Sequence, residues 1–232
     1  MKRPVRKFKS LEIALKELAP YFQSQAQLLT GRGFENFDGG RPRELAGNWL
    51  LTVVLNHLAG TEAFTFTSDN ERDGIIYHAP SRVAVPTEHI VVPPARPGDG
   101  VSSEQWIANQ VAKKQRKGAP YARGMMLVIW NLRSDNLAWH PNNAARKLPL
   151  NDFRKIWVVG LNSVRDNCWS FSVALLGPAM DRPGLSNVPI WIVDIDFHQA
   201  RWSVQQIQFA INARATFDVD PPHPPLTLEF LM

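Results

Sequence analysis

The feature that most constrains the fold is a continuous apolar run near the middle of the chain. Met125 to Trp130 are all apolar, and a strand without alternation between apolar and polar residues is buried on both faces. Residues 124–132 therefore predict a central strand that helices cover on both sides. Apolar residues make up 44% of the 232 residues, which is enough for such a core.

The remaining pattern predicts helices and strands around this central strand. Helical spacing and capping residues predict helices at residues 10–29, 42–58 and 103–117. Extended apolar and β-branched runs predict strands at residues 63–67, 74–78, 83–92, 156–161, 170–176 and 190–196. Residues 203–213 are predicted as a short helix, and the proline-rich tail from Asp218 as extended chain. We expect one α/β domain over residues 1–232, with a mixed central sheet flanked by helices.

Composition favours a cytoplasmic protein that does not enter a membrane. No stretch approaches the roughly 20 apolar residues of a membrane helix, and no apolar run follows the basic start as it would in a signal peptide. A single cysteine, Cys168, permits neither an intramolecular disulfide nor a cysteine metal cluster, and we expect it to be a buried thiol.

A basic charge balance favours phosphate-rich partners. The net charge is +5, and basic side chains cluster at residues 2–9 and 113–117. Lysine and arginine neutralise phosphates and release their counterions, so nucleic acid, with DNA favoured, is the expected partner. For either cluster alone, a solvated tail or a solvated helix face is the favoured explanation, and the two clusters together with the acidic residues described next shift the balance toward nucleic acid.

Three acidic residues are predicted on three consecutive elements. Glu44 opens the helix at 42–58, Asp73 precedes the strand at 74–78, and Glu88 lies in the strand at 83–92. Phosphodiester cleavage uses a metal to polarise phosphate and activate water, and Mg²⁺ takes hard oxygen ligands such as carboxylates. Each acid also has a structural explanation, as a helix N-terminal charge, a turn former or a solvent-facing strand residue.

In this order of elements and acids, residues 40–132 resemble the PD-(D/E)XK, or restriction-endonuclease-like, nuclease superfamily. The resemblance implies a restriction-endonuclease-like core, and residues 150–232 would add C-terminal strands. It also implies a Mg²⁺ or Mn²⁺ ion held by Asp73, Glu88 and His89, the last through its backbone carbonyl. The expected activity is metal-dependent hydrolysis of DNA phosphodiesters.

The sequence departs from the family pattern at the lysine position. Ile90 stands there, on the face of the strand that Glu88 occupies. Some members of the superfamily supply this lysine from the following helix, where Lys113, Lys114 and Lys117 are candidates and Gln110 is also present. The predicted catalytic residues are Glu44, Asp73, Glu88, Lys113 and Lys114.

A second acidic group and a second function class stay open. Asp194, Asp196 and His198 share one face of a predicted strand, as a second metal site or, preferably, as the exposed side of an edge strand. The alternative function is a non-catalytic α/β module that binds nucleic acid or protein through its basic surface. A homodimer is expected because dimers are the commonest soluble oligomers.

Overall fold

A computed structural model describes residues 10–22, 42–67, 73–95, 98, 100–133, 139–177 and 188–207. The protein is mixed α/β, as the sequence predicts. The described helices are α1 (Leu11–Leu18), α2 (Pro42–Ala59), α3 (Ser103–Gln115), α4 (Ala119–Ala122) and α5 (Pro141–Lys147). The strands are β1 (Phe64–Thr67), β2 (Gly74–His78), β3 (Val83–Val92), β4 (Met126–Asn131), β5 (Lys155–Arg165), β6 (Cys168–Gly177), β7 (Ile190–Asp196) and β8 (Arg201–Ile207).

All eight strands form one sheet in the order of the chain, from β1 to β8. Strand β3 pairs parallel to β4, and β4 pairs parallel to β5, whereas every other neighbouring pair is antiparallel. The fully apolar β4 therefore lies inside the sheet between two parallel neighbours, and all six of its residues are buried, as its sequence predicts.

Helices cover both faces of this sheet. Helices α1 and α2 pack on one face, against alternate residues such as Val128, Trp157 and Val193. Helix α3 and its neighbours pack on the other face, against Leu127 and Val158. Because successive strand residues point to opposite faces, β3 sends neighbouring side chains to two different helices. This alternation decides which helix each predicted site residue meets.

Local signals in the sequence explain where several elements begin and end. The hydroxyl of Ser10 accepts from the Ile13 amide, and that of Ser102 accepts from the Gln105 amide, so both serines cap helix N-termini. Asp166 and Asn167 adopt φ angles of 45° and 68° between β5 and β6. Two consecutive left-handed residues form the tight turn that suits a twisted hairpin.

One predicted helix is confirmed only in its first part, and another predicted helix is a strand in the structure. The helix predicted at residues 10–29 ends as an α-helix at Leu18 and continues only as a 3₁₀ turn to Tyr21, because Pro20 has no N–H for the helical ladder. Residues 201–207 form the edge strand β8 and not the helix predicted at 203–213, since Trp202 and Val204 alternate toward the core.

The predictions for residues 23–29 and 208–213, the tail from Asp218 and the basic group at residues 2–9 lie outside the described residues. The sequence predicts neither α4 nor α5. In the described ranges, none of the helices combines the length and the apolar composition that spanning a membrane requires.

Candidate functional site

Asp73 lies beside the segment of β3 that carries Glu88. Its neighbour Gly74 pairs with Thr87 in the antiparallel β2–β3 ladder. The carboxylate of Asp73 reaches across to β3, where its Oδ2 accepts a hydrogen bond from the backbone N–H of His89 at 2.6 Å. Two of the three predicted acids therefore belong to one local arrangement.

The side chain of Glu88 points to the α3 face of the sheet and is held there by basic groups. Its Oε1 forms an ion pair with Lys114 Nζ on α3 and lies 3.8 Å from Lys117 Nζ. The Tyr121 hydroxyl, from α4, donates a further hydrogen bond to Glu88. Only 14% of the Glu88 side chain and 19% of the Lys114 side chain are exposed, so this pair is largely shielded from water.

Two opposing effects act on the pKa of Glu88. Burial raises it, but hydrogen bonds from Lys114 and Tyr121, together with the charges of Lys114 and Lys117, outweigh burial. The net result is a pKa below the ordinary value of a glutamate. Glu88 is therefore a carboxylate at neutral pH, which is the state that can bind a cation.

His89, the next residue, points to the opposite face and meets α2. Its Nε2 lies 3.1 Å from Oδ1 of Asn48, while the Nδ2 of Asn48 donates to the backbone carbonyl of Asp73 at 3.1 Å. Burial, with the charges of Arg43 and Lys114, lowers the pKa of His89 to about 3. The ring is therefore neutral at physiological pH and is occupied with α2, not with the Glu88 side chain.

The other predicted site residues occupy the surroundings of this arrangement. Glu44 is half-buried one helical turn before Asn48 on α2, a spacing that puts both on one side of the helix. Lys113 is exposed on α3. Ile90 is buried in the apolar cluster that packs on α3, which explains why this position holds no lysine.

The metal site that the resemblance implies has two side-chain ligands, Asp73 and Glu88, and one backbone ligand, the carbonyl of His89. Among the described residues, no group of three or more His, Cys, Asp or Glu side chains is arranged to hold one ion. The roles of Glu44, Asp73, Glu88, Lys113, Lys114 and His89 therefore stay predictions, with the Glu88–Lys114 pair as the contact that the structure adds.

A rim of exposed basic residues surrounds the C-terminal end of α3 and the start of β4. Arg123 forms an antiparallel bridge with Phe153, and the backbone N–H of Arg154 donates to the Met125 carbonyl, which brings this edge together. The carboxylate of Asp152 in the same region accepts from Gln115. We call the exposed basic side chains here the basic rim: Lys113, Arg116, Lys117, Arg123 and Arg154.

The second acidic group has a structural explanation. Oδ1 of Asp196 accepts from the backbone N–H groups of His198 and Gln199 and so holds the turn between β7 and β8. This contact gives Asp196 a structural role, but the expected edge strand is wrong, because β7 lies between β6 and β8. His198 lies in the turn beyond the end of β7. Cys168 is exposed at the start of β6, so the expectation that its thiol is buried is wrong.

Sequence reasoning missed two polar contributors, Asn48 and Tyr121. Asn48 is a fully buried polar residue inside an otherwise apolar stretch of α2, and that position alone could have marked it. Tyr121 follows a loop and belongs to the four-residue helix α4, which is too short to show periodicity.

Comparison of the chain with protein-family models, curated proteins and solved structures finds no match.

Proposed function

We propose that the chain is a metal-dependent hydrolase of DNA phosphodiesters, with Asp73 and Glu88 as the central acids. The observation that carries the proposal is the Glu88–Lys114 ion pair. Beside this pair, the Asp73 carboxylate accepts a hydrogen bond from the backbone N–H of His89, the residue that follows Glu88. Two acids that can hold a metal ion and an ammonium group that can balance charge on the phosphate are a set of side chains that can catalyse phosphodiester hydrolysis.

The order and pairing of elements support the proposed restriction-endonuclease-like core at residues 40–132. Helix α2 is followed by the antiparallel strands β1, β2 and β3, and then by α3 and β4, which pairs parallel to β3. The resemblance implies a helix with an acidic residue, then strands that carry the two other acids, then a helix and a further strand. In this interpretation β5 to β8 extend the core sheet from β4.

The donor set fits a hard divalent cation. Mg²⁺ binds through one or two protein carboxylates and keeps water and phosphate oxygens for its other positions. Asp73 and Glu88 would supply those carboxylates. Such an ion, when bound, would polarise the phosphate and lower the pKa of a water molecule.

The chain's own residues would bind the substrate and balance its charge. Lys114 already lies at Glu88, so its ammonium group is available to a phosphate oxygen that approaches this carboxylate. Lys117 contacts the Tyr121 hydroxyl at 3.3 Å, and this places a second ammonium group beside the first. The basic rim would bind neighbouring phosphates along the nucleic acid.

Nicking of supercoiled plasmid in Mn²⁺ tests the proposal directly. We expect Asp73→Asn and Glu88→Gln each to lower the rate by at least about a hundredfold, a loss typical of an essential charge at a reacting centre. Glu104→Gln is the matched control. Glu104 is a buried glutamate, and it lies in the first turn of α3, the helix that carries Lys114, where it accepts a hydrogen bond from the His140 backbone. Nicking that persists in Glu88→Gln, or is absent in the native chain, would contradict hydrolysis.

A non-catalytic DNA-binding module is the second candidate, and buried Ile90 favours it. The basic rim alone supports binding, and its loss should reduce the salt dependence of affinity. Replacing Arg116 and Arg123 with glutamine should flatten the plot of log affinity against log salt by about 1–2 units. DNA binding with this salt slope, but without nicking in Mn²⁺, would select the binding module.

A further inference from the structure

Asn48, Asp73 and His89 close a ring of three hydrogen bonds between α2, the start of β2, and β3. Asn48 donates to the Asp73 carbonyl at 3.1 Å. The His89 backbone donates to the Asp73 carboxylate at 2.6 Å, and the His89 ring lies 3.1 Å from Asn48 Oδ1. Asn48 therefore fixes the main chain of Asp73, and the His89 backbone fixes the Asp73 side chain.

The direction of each hydrogen bond follows from the carbonyl of Asp73. A carbonyl only accepts, so Asn48 turns Nδ2 toward Asp73 and Oδ1 toward His89. The His89 ring must then carry its proton on Nε2, and Nδ1 is a buried atom that finds no partner among the residues the structure describes. One tautomer of a neutral ring thus completes the arrangement.

Two glycines leave the space that this ring of contacts occupies. A Cβ on Gly47 would lie 2.5 Å from Cε1 of His89. A Cβ on Gly74 would overlap Nδ2 of Asn48, and Gly74 has a φ of 155°, which side chains rarely adopt. The helix and the strand each approach too closely here for any residue larger than glycine.

We propose that Asn48 and His89 are positioning residues that orient the Asp73 carboxylate for the cation. This inference rests on the proposed function. A carboxylate that is fixed by a backbone donor loses little freedom when it binds an ion, and such outer contacts typically contribute 10- to 100-fold to metal affinity. His89 acts through its Nε2–H and its backbone N–H, so its ring bridges α2 and β3 and is not a metal ligand.

Asn56 on the same helix shows what a purely structural asparagine does. Its side chain donates to the Phe64 carbonyl at 3.0 Å and accepts from the Phe64 amide at 2.7 Å, which pins α2 to β1. Asn48 and Asn56 are both buried and both bridge α2 to the sheet, but only the contacts of Asn48 end on an acidic residue of the proposed site. The pair therefore offers a matched comparison.

The experiment compares Asn48→Ala with Asn56→Ala in the full chain. Calorimetry measures Mn²⁺ affinity, hydrogen exchange measures protection of the His89 amide relative to other β3 amides, and thermal unfolding measures stability. We expect both variants to lower the unfolding temperature. Only Asn48→Ala should weaken Mn²⁺ binding by about tenfold or more and expose the His89 amide to exchange at least about tenfold faster than in Asn56→Ala.

A conservative variant protects the test against misfolding of Asn48→Ala. His89→Gln keeps an N–H donor near the position of Nε2, so it should retain Mn²⁺ affinity within about threefold, whereas His89→Leu should lose affinity as Asn48→Ala does. Equal affinities and equal exchange rates in Asn48→Ala and Asn56→Ala would overturn the positioning role. Failure of the native chain to bind Mn²⁺ would instead overturn the proposed function, and the exchange comparison would still decide whether Asn48 orients Asp73.

Discussion

The region from α2 to β4 and the region from β5 to β8 are held together by different kinds of contact. In the first region, buried polar side chains join separate elements, as in the Asn48–His89 and Glu88–Lys114 contacts. In the second, the described side-chain hydrogen bonds lie within the hairpins, except that the Val188 amide donates to Asn142 on α5, and aromatic packing joins the strands to the segment that follows α1. The rings of Phe22 and Trp169, for example, meet edge to face with centroids 5.3 Å apart.

The two kinds of contact serve two tasks, which are stabilising the fold and positioning particular atoms. Apolar burial is non-directional and roughly proportional to area, so it stabilises the sheet without fixing the position of any one atom. Hydrogen bonds depend on distance and angle, so they fix the carboxylate of Asp73 and the amide of Asn48 relative to one another. We infer that β5 to β8 supply stability and that α2 to β4 supply the geometry of the proposed site.

The largest expected effect comes from truncating the aromatic cluster of the β5–β8 region. Phe171 is fully buried and contacts the rings of Phe22, Trp130 and Trp169, so Phe171→Ala should cost about 3–5 kcal/mol of unfolding free energy. Urea denaturation measures this loss. Leu150→Ala is the control, because Leu150 is 98% exposed and should change stability by less than about 0.5 kcal/mol.

The Phe171→Ala protein also tests whether the two tasks are separate. In the folded fraction, Mn²⁺ affinity and protection of the His89 amide should remain within about threefold of the native values, since the aromatic rings that Phe171 contacts, those of Phe22, Trp130 and Trp169, are not members of the hydrogen-bonded ring around Asp73. A loss of Mn²⁺ affinity as large as that of Asn48→Ala would show that the two regions are not independent.

Gly74→Ala should lose both stability and site geometry. The added Cβ would overlap Asn48 Nδ2 and lie 3.2 Å from the Thr67 carbonyl, at a φ of 155°. Overpacking together with an unfavourable φ should cost about 2–4 kcal/mol, measured by urea denaturation. Because Asn48 must move, the His89 amide should also exchange faster.

Gly100→Ala is the matched control for this substitution. A Cβ at Gly100 has nothing within 4 Å, so stability and exchange at His89 should be unchanged. If Gly74→Ala lowered stability but left the His89 amide as protected as in the native chain, Asn48 would not transmit the strain, and the contrast between the two regions would weaken.

Local patterns were enough to predict most of the elements but not the contacts between them. Strands β2 and β3 occupy residues 74–78 and 83–92 as predicted, because Gly74 and the turn after His78 mark their ends. Strand β8 was predicted as a helix because Gln205 and Gln206 hide the alternation of Trp202 and Val204. Sequence periodicity reports one element at a time, so it cannot reveal which partner a side chain meets.

In the candidate site, too, local patterns predicted the elements better than the contacts between them. A lysine supplied by α3 was predicted, and Lys114 is the one that reaches Glu88, because its position on the helix faces β3. The contacts of Asn48 could not be predicted, since they join residues 25 and 41 positions apart in the chain. They depend on the close approach that Gly47 and Gly74 permit, and a glycine in a sequence does not state what approaches it.

The smallest expected effect is the pH-dependent contribution of the Glu88–Lys114 pair. Folding lowers the pKa of Glu88, so the folded state binds its proton less tightly than the unfolded state does. The pair therefore stabilises the fold above the ordinary glutamate pKa of about 4.3, and this contribution disappears as the pH falls through the lowered pKa. Because burial of the carboxylate opposes the ion pair and its hydrogen bonds, we expect only about 1 kcal/mol at pH 7.

Urea denaturation of the native chain and Glu88→Gln, at intervals from pH 7 to pH 3, measures this contribution. The two stability curves should differ at pH 7 and converge toward pH 3, while Lys114→Met should show the same convergence and Lys113→Met, with an exposed lysine, should follow the native chain. A constant difference between the native chain and Glu88→Gln across this range would mean that ionisation of Glu88 does not contribute to the free energy of unfolding. The charged contacts of α2 to β4 would then contribute little to folding at any pH, so their presence would be explained by the site alone.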